Sequence, residues 1–231
     1  MTSSPNRRLA TVTAAVTLAL LAWDLLQLDM PMARWWGDAQ GFMLRDNWVL
    51  DNVVHDGGRR VAWALTLALC VGVWWPWGWL RGIDTARRLQ LAATTLLAAL
   101  AVSTIKSFSG TSCPWDMAEF GGVARYAGGL PHWLSLTAGD GGSGRCFPAG
   151  HASAGFAFVG GYFAFRDVRP ALARGWLAVA LAAGLVLGLS QQLRGAHFMS
   201  HTLWSAWVCW CVAWAIDSLA RARDPQAQVR R

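Results

Sequence analysis

The sequence predicts an all-α integral membrane protein with six transmembrane helices and two long loops on the outer side. Three observations lead there. Apolar residues make up 55% of the chain and charged residues only 14%, against roughly 25% charged in soluble domains. Several apolar runs approach the roughly 20 residues that cross a bilayer. Sixteen tryptophans in 231 residues suit membrane interfaces, where an amphipathic ring is at home. Disorder, collagen-like repeats and a small secreted disulfide scaffold are excluded by the same composition.

Hydropathy and length place the spans at about 9–28, 61–80, 89–105, 149–165, 175–193 and 196–216. They are expected to be helical, because lipid offers no partner to backbone N–H and C=O groups. Asp24 interrupts the first, and Pro76 with Trp74, Trp75, Trp77 and Trp79 lies near the end of the second. A cleaved signal peptide over 1–28 is the alternative for the first span; Asp24 and the missing A-x-A site favour a retained helix. The chain reads as a single membrane domain over 1–231, with 1–6 and 222–231 as flexible tails.

The formal charge of +7 comes from nineteen arginines and one lysine, Lys106. No dense basic run with interleaved aromatics appears, which argues against nucleic acid. Arg7 and Arg8, Arg81, Arg87 and Arg88, Arg166, Arg169 and Arg174, and Arg221, Arg223, Arg230 and Arg231 flank the spans on one side of a six-span topology. The positive-inside rule then puts both termini in the cytoplasm. The other side holds the loops 29–60 and 106–148 and a tight turn at Arg194-Gly195.

All five histidines, His55, His132, His151, His197 and His201, fall on that outer side, with Lys106. Ionisable groups at membrane depth are costly and point to function. His55 in His55-Asp56-Gly57-Gly58-Arg59-Arg60 reads as a helix cap in preference to a site residue, and His132 as a solvated loop histidine. The tryptophans read mostly as interfacial anchors or lipid-facing packing.

Three segments carry the chemistry: Lys106 to Cys113-Pro114-Trp115-Asp116, Arg145-Cys146-Phe147-Pro148-Ala149-Gly150-His151, and Ser190-Gln191 to Arg194-Gly195-Ala196-His197 and His201. Together they resemble the K-x-x-x-x-x-x-R-P, P-S-G-H and S-R-x-x-x-x-x-H-x-x-x-D signatures of the type 2 phosphatidic acid phosphatase superfamily, over a catalytic core of about 89–216. The resemblance is to a divergent subgroup with C-P-W-D, C-F-P-A-G-H and R-G-A-H-F signatures. Cys113 and Gln191 stand where that family has arginines, and His201 where it has aspartate. Arg145 and Arg194 lie close enough in sequence to relocate the missing guanidinium charge.

The resemblance implies a lipid phosphate or pyrophosphate phosphatase in a bacterial inner membrane, with His197 as nucleophile and His151 as general acid at the periplasmic face. Undecaprenyl pyrophosphate, lipid A phosphate, phosphatidylglycerol phosphate and phosphatidic acid are candidate substrates. His201, at i+4 from His197, is expected to orient its ring, with Asp116, or failing it Glu119, supplying the negative charge. Lys106, Arg145, Arg194 and the backbone at Gly150 are expected to bind phosphate, since phosphoryl transfer asks mainly for positioning and charge neutralisation.

No cofactor is needed. A metal on His151, His197 and His201 is disfavoured, because Lys106 and Arg194 repel a cation. A lipid phosphotransferase and a non-catalytic lipid-binding or scaffold protein are the rival readings. Cys113 and Cys146 share the second outer loop, and in an oxidising periplasm a disulfide between them would staple two motifs together; two buried free thiols are the alternative. Cys70, Cys209 and Cys211 read as packing residues.

Overall fold

The computed structural model describes residues 5–126, 132–133 and 136–222. Arg223, Arg230 and Arg231, and most of the two predicted tails, lie outside the described residues. The long helices are α1 (Pro5–Leu25), α3 (Gly58–Val71), α4 (Thr85–Phe108), α7 (Pro170–Leu193) and α8 (Met199–Ala222). Shorter helices α2 (Asp29–Ala33), α5 (Gly150–Phe156) and α6 (Gly160–Phe165) complete the set, with a two-stranded hairpin pairing Gly37–Asp38 with Gly41–Phe42.

Four helices, α1 (from Asn6), α4, α7 and α8, are long and apolar enough to cross a membrane. They mark a helical membrane protein. Large apolar side chains on their outer faces, such as Leu18, Leu100, Val179 and Val186, are exposed, as a lipid-facing surface requires.

The two remaining expected spans differ from the sequence reading. The second ends at Val71, with Gly72 as its cap. Pro76 has no N–H to continue a helix and forces its neighbour toward extended geometry. The tryptophans at 74–79 therefore lie on an exposed turn. That helix also starts earlier than expected. A π-helical segment, Val49–Gly57, runs into α3 without a break, so the predicted loop 29–60 delivers Asp51 and His55 on helical backbone. The fourth expected span is divided into α5, a 3-10 turn at Ala157–Val159, and α6.

Local chemistry sets the ends of the bundle helices. Asp84 caps α4, its side chain accepting from the Arg87 N–H at 2.8 Å. Pro170 opens α7, where a missing N–H costs nothing. The α7 helix closes at Gly195, whose φ of +74° is a left-handed cap that glycine accepts freely. Its N–H donates to the Gln192 carbonyl, and that of Ala196 to Gln191. A Cβ at Gly195 would also meet the Phe42 ring at 2.3 Å.

Between helices, backbones approach through small residues, the usual means of packing in membranes. A Cβ on Gly155 of α5 would lie 2.2 Å from the Gly184 nitrogen of α7. Around this contact a core forms from Ala98 and Val102 of α4, Ala152 and Phe156 of α5, Ala180 of α7, and Val208 and Cys209 of α8.

The α1–α8 seam is different. Trp204, Trp207 and Trp210 of α8 donate their indole N–H groups to Asp24, Thr17 and Thr13 of α1 at 2.8–3.0 Å. These three tryptophans are therefore helix–helix donors and not interfacial anchors, and Asp24 is a receptor for one of them.

At one end of the bundle three connections converge on Asp217, which is buried. Arg87 and Gln90 of α4, Arg166 at the end of α6 and Arg221 of α8 all donate to its carboxylate at 2.5–3.1 Å. Arginines that the sequence assigned to one membrane side thus share one carboxylate.

Candidate active site

The three motif segments meet at the opposite end of α4 and α8. Cys113 and Cys146 are joined by a disulfide across a sequence separation of 33 residues. Backbone bonds add to the staple: Arg145 N–H donates to Ser109, Cys146 N–H to Thr111 and Trp115 N–H to Gly195, at 2.7–3.0 Å. Ala149 N–H donates to the His201 carbonyl at 3.1 Å, and the Ser205 hydroxyl to the Ala149 carbonyl at 2.9 Å. The first, second and third segments are thereby held in one frame.

Within that frame, α5 starts at Gly150 with no side-chain cap on its opening N–H groups. Lys106, at the last turn of α4, brings its Nζ over this point: a Cβ on Gly150 would be 3.6 Å from it. His151 follows, half-buried, within the electrostatic reach of His55, Lys106, Arg59 and Arg194.

Arg194 is buried, and its plane is set by the Arg45 carbonyl at 2.9 Å, Gln191 at 3.4 Å and Asp51 at 2.7 Å. The Gln191 that replaces a family arginine therefore steadies Arg194. Arg145 has a left-handed backbone (φ 56°) and is exposed.

His197 lies on the turn ahead of α8, so it and His201 do not share a helical face as expected. Its ring faces Cys146, with Nδ1 3.4 Å from Sγ and a hydrogen bond to the Cys146 backbone. Burial, then the charge of Lys106 and the nearby His151, hold its imidazole well below the ordinary 6.5. At neutral pH it is the uncharged base.

His201 does not orient that ring. The two ring centroids are 5.8 Å apart, and both His201 ring nitrogens are buried with no hydrogen-bond partner among the described residues. Asp116 is engaged elsewhere, its carboxylate accepting from the Ser143 hydroxyl at 2.7 Å, and Glu119 pairs with Arg34. Asp116 found its donor in its own loop, and Glu119 found one across the fold at the end of α2.

Two histidines need correction. The structure does not use His55 as a cap: Gly57 precedes α3 without side-chain capping. Instead the His55 ring lies on that of His151, centroids 3.5 Å apart, with Asp56 at 3.1 Å and Asp51 at 3.8 Å from its Nδ1. The signal in sequence was its place, an imidazole close before two arginines at the start of an expected span.

His132 is not solvated either. It stacks on Phe147, centroids 4.6 Å apart, bonds the Ser200 hydroxyl at 3.0 Å and lies 3.6 Å from Asp29. Burial alone would raise the Asp29 carboxyl. The His132 hydrogen bond, the neighbouring imidazoles of His201 and His132, and the Ser200 hydroxyl outweigh it and hold the group below the usual 3.8.

Cys146, His197 and His201 have ligand spacing for a metal. The Cys146 sulfur is committed to the disulfide, so this group lacks the thiolate such a site would use. A polar set that can grip an anion remains: two cations, the opening turn of α5, and imidazoles beside them.

Residues 87–224 match the family model described as the PAP2 superfamily. The match spans more than half of the chain, and the protein belongs to that superfamily, an α-helical membrane-type fold whose members are generally phosphatases. Neither a curated protein nor a solved structure gives a match.

Proposed function

We propose that the protein is a membrane lipid phosphatase that works through a phosphohistidine. The observation that carries this reading is the meeting of Lys106 Nζ with the opening turn of α5, beside His151 and within electrostatic reach of His197. In this reading the phosphate head enters between Lys106, Arg194 and the N–H groups at Gly150 and His151. A point charge, a planar fork and a helix terminus together neutralise the oxygens without a metal.

His197, neutral and turned with Nδ1 to Cys146, presents Nε2 to phosphorus. The new N–P bond forms as the P–O bond to the lipid breaks. His151 gives its proton to the departing oxygen, and the bound phosphate's own negative charge favours the protonated imidazole beforehand. Water then attacks phosphorus, His151 takes the water proton, and the N–P bond breaks to free phosphate and His197. His55, stacked on His151 and flanked by Asp51 and Asp56, positions that ring.

Six spans complete the reading, with α3 and its π-helical extension as the second and α5–α6 as the fourth. The gathering of Arg87, Arg166 and Arg221 at one carboxylate supports a common cytoplasmic end, and with the positive-inside rule it supports a site at the outer face.

Phosphate release by the detergent-purified protein over a panel of lipid phosphates and pyrophosphates tests this. His197→Ala and His151→Ala should each lose at least about a hundredfold in kcat. Rapid quench with labelled substrate should trap an acid-labile, alkali-stable phosphoprotein that His197→Ala cannot form. Arg194→Ala should cost more than Gln191→Ala. Full activity of His197→Ala, or equal and mild losses for all four variants, would refute the assignment.

A further inference from the structure

A second group of buried polar side chains lies behind the candidate site, and the phosphoryl-transfer reading leaves it unused. Asp24 near the end of α1, Asp29 at the start of α2 and His132 of the second outer loop converge beside the first turn of α8. One ligand atom from each lies within 4.8 Å of the other two. His132 Nε2 is 3.6 Å from Asp29 Oδ2 and 4.0 Å from Asp24 Oδ1. The Ser200 hydroxyl, 3.0 Å from the same nitrogen, closes the group and also bonds Asp29.

The charges do not balance with these residues alone. Both carboxylates are almost wholly buried, with side chains 1% and 2% exposed. Among the described residues neither pairs with a lysine or arginine; the ionisable groups facing them are His132, His201 and Tyr126. With both carboxylates ionised, even a protonated His132 leaves one negative charge uncompensated, and burying an uncompensated charge is expensive.

The hydrogen bonds are incomplete as well. Asp24 Oδ2 accepts from Trp204, but Oδ1, on the His132 side, is buried without a partner among the described residues. His201, fully buried with neither ring nitrogen partnered among the described residues, packs its ring against that of His132 with centroids 4.9 Å apart. Native interiors rarely leave such atoms without an explanation.

We propose that Asp24, Asp29 and His132 form a binding site for a divalent metal ion, Zn²⁺ by its donor set, with the Ser200 hydroxyl or a water as fourth ligand. One imidazole and two carboxylates suit zinc, and ligands about 2.1 Å from a tetrahedral ion stand about 3.4 Å apart. The observed separations from His132 reach that spacing with movements of tenths of an ångström. The ion would supply the missing positive charge and a partner for Asp24 Oδ1. It would clamp α1, α2 and the second loop to α8, and its role is structural, distinct from the phosphate chemistry.

The test uses the full-length protein in detergent and reads metal, not activity. After exposure to Zn²⁺ and gel filtration, the wild type should retain about one equivalent. X-ray absorption should show a nitrogen/oxygen shell with one imidazole and no sulfur. Stripping with a chelator should lower the thermal midpoint, and Zn²⁺ but not Mg²⁺ should restore it. Asp24→Asn and His132→Gln should each lose the metal.

Retention below about 0.1 equivalent would overturn the proposal and leave a carboxylate pair sharing a proton. A shell with two imidazoles would place the ion at His197 and His201, which equally overturns it, as would wild-type zinc binding by both variants. The spectrum of the wild type decides even if a variant fails to fold.

Discussion

Asp217→Asn removes one charge from the point where three helical connections meet, and its cost follows from the geometry. In the wild type, one carboxylate oxygen accepts from Arg87 and Gln90, the other from Arg166 and Arg221. Asparagine keeps the shape but turns one of these acceptors into a donor, so two bonds are lost. Three guanidiniums, with side chains only 12–21% exposed, then face each other with little neutralisation. Breaking a buried pair from one side costs about 3–5 kcal/mol. In a chain of this size that is a fall of about 6–20 °C in the thermal midpoint.

Asp167 provides the control, since it pairs with Arg87 and Arg221 but is 48% exposed. Screening and side-chain entropy limit such a pair to about 1 kcal/mol or less, and Asp167→Asn should move the midpoint by no more than about 4 °C. Thermal unfolding in detergent, followed by tryptophan fluorescence, measures both. Equal shifts for the two variants, or none for Asp217→Asn, would show that burial of this network does not hold the helices together.

Three further outcomes are expected. Gly155→Ala drives a Cβ more than 1 Å inside van der Waals contact with the Gly184 backbone, so α5 must move and carry His151 with it. The expected loss is about a hundredfold in kcat for a stability cost of about 1–3 kcal/mol; an unchanged kcat would contradict the placement of His151 by this contact. Reduction of Cys113–Cys146 frees a loop with a separation of 33 residues and should cost about 3–4 kcal/mol, read as a lower midpoint in dithiothreitol. Alkylation of Cys113 and Cys146 in the unreduced protein would remove the basis for that.

The third concerns pH. Unfolded His197 takes up a proton near 6.5, whereas the folded site holds the pKa well below that. Its contribution to stability is therefore present above pH 6.5 and is lost as pH falls from there toward the folded pKa. Between pH 7 and 5 the wild-type midpoint should fall more steeply than that of His197→Gln. Parallel curves would mean that His197 protonates normally.

Much of this protein was legible before folding was considered. Apolar runs of spanning length and the arginine pattern define a helical membrane protein, because lipid accepts only internally bonded backbone and charge resists crossing it. The short motifs around Lys106, His151 and His197 resemble those of a phosphatase superfamily, and the family match over residues 87–224 agrees with that resemblance. What sequence periodicity missed was breakage and partnership. Pro76 ends the second helix early, while the fourth helical stretch is broken into short pieces.

Partnership is a property of three dimensions, and only the tertiary structure decided it. His132 reads as a loop residue until the loop folds over Asp29 and Ser200. His55 reads as a cap until a π-helical turn sets it on His151, and Asp116 is within reach of Ser143 in its own loop. Trp204, Trp207 and Trp210 read as interfacial until α1 offers acceptors at matching heights. Local sequence determines how each segment meets lipid and water; which buried side chain meets which depends on helices distant in the chain, and hydrogen bonds and charge act only over a few ångströms.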